Sequence, residues 1–251
     1  MHTSRLYAAA LFGAAAVASP FPAAVAQVTP HASIELSTDE RRRGISWSDG
    51  DVAPAAAARL DLPAGFDIGA RVTGLRASAR HGGADAVVDA TLGYSRYAGA
   101  IRLDGFVTGH LFAGGIERLD YLEVGGGASY SLGPAELGAE ARYAPSQSAI
   151  GGDNLYLALR GRVGVPATPY SITGSVGRSS GGVDDPERAA RLRPLGRYHD
   201  WSVGVQRITG PVTLGLEYTG TDISDDGPDP TRFADRRNAG DRITARVALG
   251  F

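Results

Sequence analysis

The sequence predicts an all-β protein: a single antiparallel up-and-down transmembrane β-barrel of about twelve strands behind a cleavable signal peptide. Three observations predict it. Past residue 27 the chain is a succession of blocks of about ten residues in which apolar side chains alternate with small or polar ones. The links between blocks are alternately short and long. Aromatic residues fall at two levels, near the block ends, as amphipathic rings do at membrane interfaces.

The first segment reads as an address. Arg5 opens it, an apolar run from Leu6 to about Val17 follows, and Ala24-Val25-Ala26 precedes Gln27. A basic start, a short apolar core and small residues at the cleavage site make residues 1–26 a secretory signal peptide and 27–251 the barrel domain. No later stretch reaches the roughly 18–20 consecutive apolar residues of a spanning helix.

The twelve blocks have cores at 31–39, 54–62, 66–74, 86–95, 100–111, 120–132, 134–143, 154–165, 169–178, 199–208, 211–220 and 242–251. In the third, Phe66, Ile68, Ala70 and Val72 share one face while Asp67 and Arg71 share the other. The sixth sets Leu122, Val124, Ala128 and Tyr130 against Glu123 and Ser129. In the eighth, Leu155, Leu157 and Leu159 oppose Tyr156 and Arg160; in the eleventh, Val212, Leu214, Leu216 and Tyr218 oppose Thr213 and Glu217. The twelfth runs in phase to the last residue, with Ile243, Ala245, Val247, Leu249 and Phe251 on one face. A charge on the lipid face near mid-bilayer costs about 2–4 kcal/mol. The phasing puts only Arg207 there, near a strand end.

Links after the even blocks are short ("PAG", "RYAG", "GP", "VPATP", "TGP"), while those around 179–198 and 221–241 are long. Short turns on one side and long loops on the other describe an outer-membrane barrel with both termini on the periplasmic side. In that orientation Phe66, Tyr94, Tyr130, Tyr170 and Phe251 form an inner aromatic girdle, and Tyr143, Trp201 and Tyr218 an outer one. The last strand has to pair with the first, since an open edge in lipid leaves backbone groups unpaired. Its aromatic end also resembles the recognition signal of the barrel assembly machinery. A soluble β-sandwich would alternate as well, but needs neither two loop classes nor two aromatic levels.

Composition narrows the chemistry. Net charge is −2, which offers nothing to nucleic acid. Absence of cysteine removes disulfides, thiolate metal sites and a lipidated N-terminus. All 25 basic residues are arginine, which reflects either base composition or a guanidinium lining for anionic solutes. No phosphate-binding loop, nucleotide fingerprint or metal-ligand spacing is present, so no cofactor is expected.

Between the first two blocks stands "STDERRRGISWSDGD", Ser37 to Asp51. Arg43-Gly44-Ile45-Ser46 and Ser48-Asp49-Gly50-Asp51 resemble the opening motif of the TorF family, assigned as Gram-negative outer-membrane porins; Glu40 and Arg42 stand where that family has aromatics. The resemblance implies a channel and no defined substrate. Arg41, Arg43 and Gly44, with Asp49 and Asp51, have two readings: a charged mouth, or a turn whose arginines are pinned by the two aspartates.

By phase, Glu35, Arg59, Arg71, Arg102, Asp104, Glu123, Glu140, Arg142, Arg160, Arg162, Glu217 and Arg246 line the lumen, with Asp61, Asp67, Asp89 and Glu136. Inward glycines, among them Gly93 and Gly125, are expected to keep volume free. Twelve strands lie between barrels filled by side chains and barrels with an aqueous channel. The leading expectation is passive, weakly selective diffusion of small hydrophilic solutes. The expected partners are those solutes, outer-membrane lipids and the assembly machinery, with a homo-oligomer compatible. A non-conducting barrel acting through its loops is the alternative. An outer-membrane lipid enzyme, with His110 as the candidate base, comes last. "DISDDG", with Asp222, Ser224 and Asp226, has the opening spacing of a calcium loop, but Phe233 stands where the bidentate glutamate belongs, so a solvated loop is expected.

Overall fold

A computed structural model of the chain describes residues 28–117, 119–224 and 226–251. The leader expected over 1–26 lies outside the described residues. The strands are β1 (Thr29–Ser37), β2 (Arg41–Arg42), β3 (Ile45–Ser46), β4 (Ala53–Asp61), β5 (Phe66–Ser78), β6 (Ala84–Ala98), β7 (Ile101–Ala113), β8 (Tyr121–Leu132), β9 (Ala135–Gln147), β10 (Gly152–Gly164), β11 (Tyr170–Ser180), β12 (Tyr198–Thr209), β13 (Val212–Thr221) and β14 (Arg242–Gly250). All but β2 and β3 form one closed antiparallel barrel in sequence order, β14 pairing back on β1. Ser33 lies opposite Gly250 and Ser37 opposite Arg246. At the seam the Phe251 N–H donates to the Ala32 carbonyl at 2.8 Å, and the Ala32 N–H donates to the Phe251 carbonyl at 3.2 Å. Closure is what lets a sheet expose one apolar face without an unpaired backbone edge.

The period-two blocks become strands because each face has its own environment. Ile34, Leu92, Ile172, Val176 and Leu216 stand exposed on the outer wall. Their sequence neighbours turn inward. Arg207 sits on the outer wall at the end of β12, 5.9 Å from the Tyr170 ring. The expectation that it is alone there is corrected: Arg96 and Arg178 share the outward phase of β6 and β11, each in the last few residues of its strand, where the cost of an outward charge falls to about 0–1 kcal/mol.

Several strands are taller than the ten-residue blocks. β5, β7, β9 and β10 have 13 residues and β6 has 15. At roughly 3.3 Å per residue, 13 residues reach about 43 Å, beyond a hydrocarbon core of about 30 Å. Most of the excess is at the long-loop end, where β5–β6 pairing shifts register between Gly74 and Ser78. Arg76 and Ala77 take positive φ (56° each) in that irregularity, which breaks the alternation by which the strand is read.

On these tall ends the long loops fold into a cap with its own core. Trp47, Leu75, Val87, Tyr121, Ile150 and Leu192 belong to one buried cluster, with Phe112 against it. Two arginines staple the cap. Arg80, fully buried, donates to the Arg191, Ala234 and Asp235 carbonyls at 3.0, 2.9 and 2.7 Å. Arg191 donates to the Leu119 and Ala149 carbonyls at 3.1 and 2.5 Å and lies over the Phe112 ring at 4.9 Å. Burial lowers both guanidinium pKa values to about 10, so both stay charged at neutral pH and satisfy several orphan carbonyls at once. Helix α1 (Pro186–Ala189) begins with the Asp185 carboxylate accepting from the N–H groups of Glu187 and Arg188, at 3.0 and 3.3 Å.

Candidate channel and its inserted hairpin

The barrel encloses a cavity of about 1170 Å³. Alternation on the wall strands points their polar residues into it: Glu35, Arg59, Arg71, Arg102, Asp104, Glu123, Glu140, Arg142, Arg160, Arg162, Glu217 and Arg246 all border the cavity. Ion pairs tie strands together on the inner wall: Arg160 with Glu140 at 3.1 Å and Arg59 with Asp67 at 3.4 Å join neighbours, and Arg71 on β5 reaches past β4 to Glu35 on β1 at 2.8 Å. The glycines do not all leave free space. A Cβ on Gly125 would meet the Phe106 ring at 2.4 Å; that ring occupies the room, and Arg142 lies over it at 4.6 Å.

Exposure to water falls steeply along the cavity. Arg59, near the short-turn end, has a side chain 46% exposed, while Glu123, near the long loops, is 1% exposed. The segment 38–52 causes this difference. It leaves β1, enters the barrel as the β2–β3 hairpin and buries Ile45, Ser46, Trp47 and Ser48. Ser46 and Ser48 both donate to the Asp39 carboxylate, at 2.5 and 3.1 Å, and the Trp47 N–H donates to the Glu40 carbonyl at 2.7 Å.

The three consecutive arginines radiate from the hairpin in different directions, Arg41 to the last loop and Arg42 and Arg43 to the wall. Arg41 pairs with Asp39 at 3.1 Å and donates to the Gly240 carbonyl at 2.6 Å. Arg42 bridges Glu40 at 3.1 Å and Asp89 at 2.8 Å, with its guanidinium 4.1 Å from the Trp47 ring. Arg43 meets Glu123 at 2.5 Å and lies 4.6 Å over the Tyr156 ring. For Arg42 and Arg43 burial favours the neutral form, but the carboxylates outweigh it and raise both pKa values. The reading in which Asp49 and Asp51 pin Arg41 and Arg43 is corrected. Asp49 instead holds Arg237 at 3.1 Å and Asn238 at 2.9 Å, joining the segment that follows the hairpin to the 222–241 loop, and the Asp51 backbone N–H and carbonyl bond Ser48 at 3.1 and 2.7 Å. Gly44 makes the expected bend at φ 75°; a Cβ there would lie 2.5 Å from Thr221 Cγ2 and 3.0 Å from the Gly220 carbonyl.

His110 also faces the interior. Its Nδ1 is 2.7 Å from Asp89 and its Nε2 3.3 Å from Glu123, and its ring stacks on Tyr121 at 4.4 Å. Both nitrogens are thus engaged by carboxylates inside the barrel, away from a lipid on the outer wall. Asp39, Glu40 and Asp200 also belong to this interior network, outside the residues assigned to the lumen from sequence; Tyr156, which phase places on the face of Arg160, donates to Asp200 at 3.1 Å. In the last loop, Asp222 is bonded to His199 at 2.8 Å, Ser224 donates to Asp226 at 3.4 Å, and Phe233 is buried in the cap.

On the outer wall, Phe66 and Tyr94 pack at 5.0 Å between ring centroids. Tyr130 and Tyr170 lie near the same short-turn rim, and Phe251 follows the end of β14. Tyr143, Trp201 and Tyr218 lie toward the long loops.

A family model described as a bacterial protein of unknown function (Gcw_chp) matches residues 22–242. The chain belongs to this family. That assignment does not carry the TorF name. Among curated proteins none matches the chain. Among solved structures, the KdgM porin is similar over 88% of this chain and 99% of its own, with 6% identity and a TM-score of 0.57. A complex of the KdgM porin with disordered oligogalacturonate gives 6% identity and the same score over 89% and 99%. LpxR from Salmonella typhimurium gives 11% identity and a TM-score of 0.50 over 88% and 99%. These likenesses place this member of the Gcw_chp family in a porin-like barrel fold, one shared by a chain with another name.

Proposed function

We propose that the protein is a porin-like channel of the Gram-negative outer membrane, through which small hydrophilic solutes diffuse passively, with the 38–52 hairpin as its constriction. The supporting observation is the polar, water-exposed lumen that ends against the inserted hairpin. The apolar outer wall and the two aromatic levels fit a membrane-spanning barrel. In this setting outer-membrane lipids cover the wall and the barrel assembly machinery closes the β1–β14 seam; a homo-oligomer is compatible with it. Refolded protein in planar bilayers tests the reading: discrete conductance steps are expected, larger when residues 41–46 are replaced by a short glycine-serine link. A bilayer that stays sealed with both proteins overturns it.

The folded cap favours a second reading, a non-conducting barrel that works through its loop surface. Sealed bilayers, together with a correctly folded cap, would sustain that one instead.

A further inference from the structure

Formal charge in the lumen is nearly balanced, but the charge that water reaches is not. In three ion pairs the arginine stands forward and the carboxylate sits behind it. Arg160 is 52% exposed and its partner Glu140 14%; Arg59 is 46% exposed and Asp67 14%; Arg246 is 43% exposed and Glu35 13%. The cause is side-chain length on a curved wall. An arginine reaches several bonds toward the axis, whereas the carboxylate stays near the strand that carries it and is covered by the guanidinium. Not every carboxylate is recessed: Asp104 and Glu217 border the cavity half-buried, and two more lie near the short-turn end. Asp61 is held between Arg59 at 2.7 Å and His31 at 3.1 Å, and Glu136 is exposed near the start of β9.

We infer that the vestibule is a selectivity site for small anions bearing carboxylate, phosphate or sulfonate groups. This rests on the channel reading for its biological use, but not for its test. Each forward guanidinium keeps N–H donors beyond those spent on its carboxylate, and a planar fork of donors matches an oxyanion in two-point contact. Low-dielectric walls concentrate that field along the axis, so an anion meets the forward donors while the carboxylates of these three pairs lie behind them. Neutral pairing over the whole lumen therefore coexists with a cationic inner surface.

The vestibule is reached from the short-turn end whether or not the hairpin moves, so binding tests the inference independently of conduction. The probes are pyranine, a trisulfonate dye, and methyl viologen, a dication, each titrated against the detergent-solubilised mature protein at low salt. Pyranine is expected to bind, with inorganic phosphate displacing it. The triple substitution R59Q/R160Q/R246Q is expected to weaken it by roughly tenfold or more, and the matching lysine triple to restore most of the binding. In bilayers with a salt gradient, the reversal potential is expected to show an anion preference that the glutamine triple removes. Equal binding of methyl viologen, pyranine binding unchanged in the glutamine triple, or a cation-preferring reversal potential overturns the inference. A silent bilayer with pyranine still bound in the vestibule removes the channel reading and leaves the anion site standing.

Discussion

The Arg43 guanidinium meets the Glu123 carboxylate at 2.5 Å, 80 residues away in sequence, and the pair is closed off by the Tyr156 ring beneath the arginine. It fixes the hairpin tip to the barrel wall. Removing Arg43 leaves the buried Glu123 carboxylate with His110, 3.3 Å away, as its remaining partner, and losing one member of a buried pair costs up to about 3–5 kcal/mol. Arg43→Ala is therefore expected to lower the urea midpoint of the refolded barrel and to raise its single-channel conductance, because the hairpin loses its wall anchor. A midpoint and conductance equal to the parent's would show that the pair does not hold the hairpin.

Trp47 offers a direct reading of hairpin position. The chain has two tryptophans; Trp201 lies on the outer wall, while Trp47 is buried beside Arg42 and the His81 ring, 4.4 Å away. In a Trp201→Phe background the emission should be blue-shifted and poorly quenched by iodide. Adding Arg42→Gln, which removes the bridge between Glu40 and Asp89, should shift it to the red and increase quenching severalfold. Unchanged quenching would mean that the hairpin does not depend on this arginine.

Gly44 is a bend of the hairpin that the fold constrains tightly. Alanine there would hold a positive φ and would press its Cβ against Thr221 and the Gly220 carbonyl. The expected cost is about 1–3 kcal/mol, seen as a lower thermal midpoint with faster hydrogen exchange in 41–46. Alanine at Gly99, a turn glycine where an added Cβ meets nothing within 4 Å, is the comparison and should cost less. Equal effects would refute the argument from close approach.

The cap should loosen in acid. Burial, reinforced by Arg191 and Arg80, pushes the His81 imidazole well below its ordinary 6.5. A histidine freed by cap opening takes up a proton below that value while the buried one does not, so cap stability is full above about 6.5 and falls as pH drops through it. Opening at pH 5.5 should be about tenfold more frequent than at pH 7.5, read from hydrogen exchange of residues 186–196 corrected for intrinsic rates. In His81→Gln the trend should reverse. Burial raises the Asp235 carboxyl despite Arg80 nearby, so there the folded cap binds its proton more tightly than the open one and gains stability as pH falls. Parallel profiles for parent and variant would dismiss His81 as the cause.

The barrel was legible because its physics is local and repetitive. One face in hydrocarbon and one in water leave a period of two that no partner has to supply, as Phe66 to Thr73 and Val212 to Tyr218 show. The hairpin was not legible in that way. β2 and β3 have two residues each, too few for any period, and the wall partners of Arg42 and Arg43, Asp89 and Glu123, lie far along the chain. Asp49 and Asp51 looked like natural partners because they are near in sequence; the barrel brings Glu123, Asp89 and Arg237 nearer in space. Arg80 and Arg191 carry no signal at all, since backbone carbonyls, which every residue has, are their main acceptors.

The decline in solvent access from Arg59 to Glu123 gives the molecule a polarity that a plain tube lacks. In the proposed channel, ions arriving from one chamber would meet open water and guanidinium, and from the other a folded lid. Current in symmetrical salt should then rectify, and a bulky polyanion should block from the side of the chain termini at far lower concentration than from the opposite side.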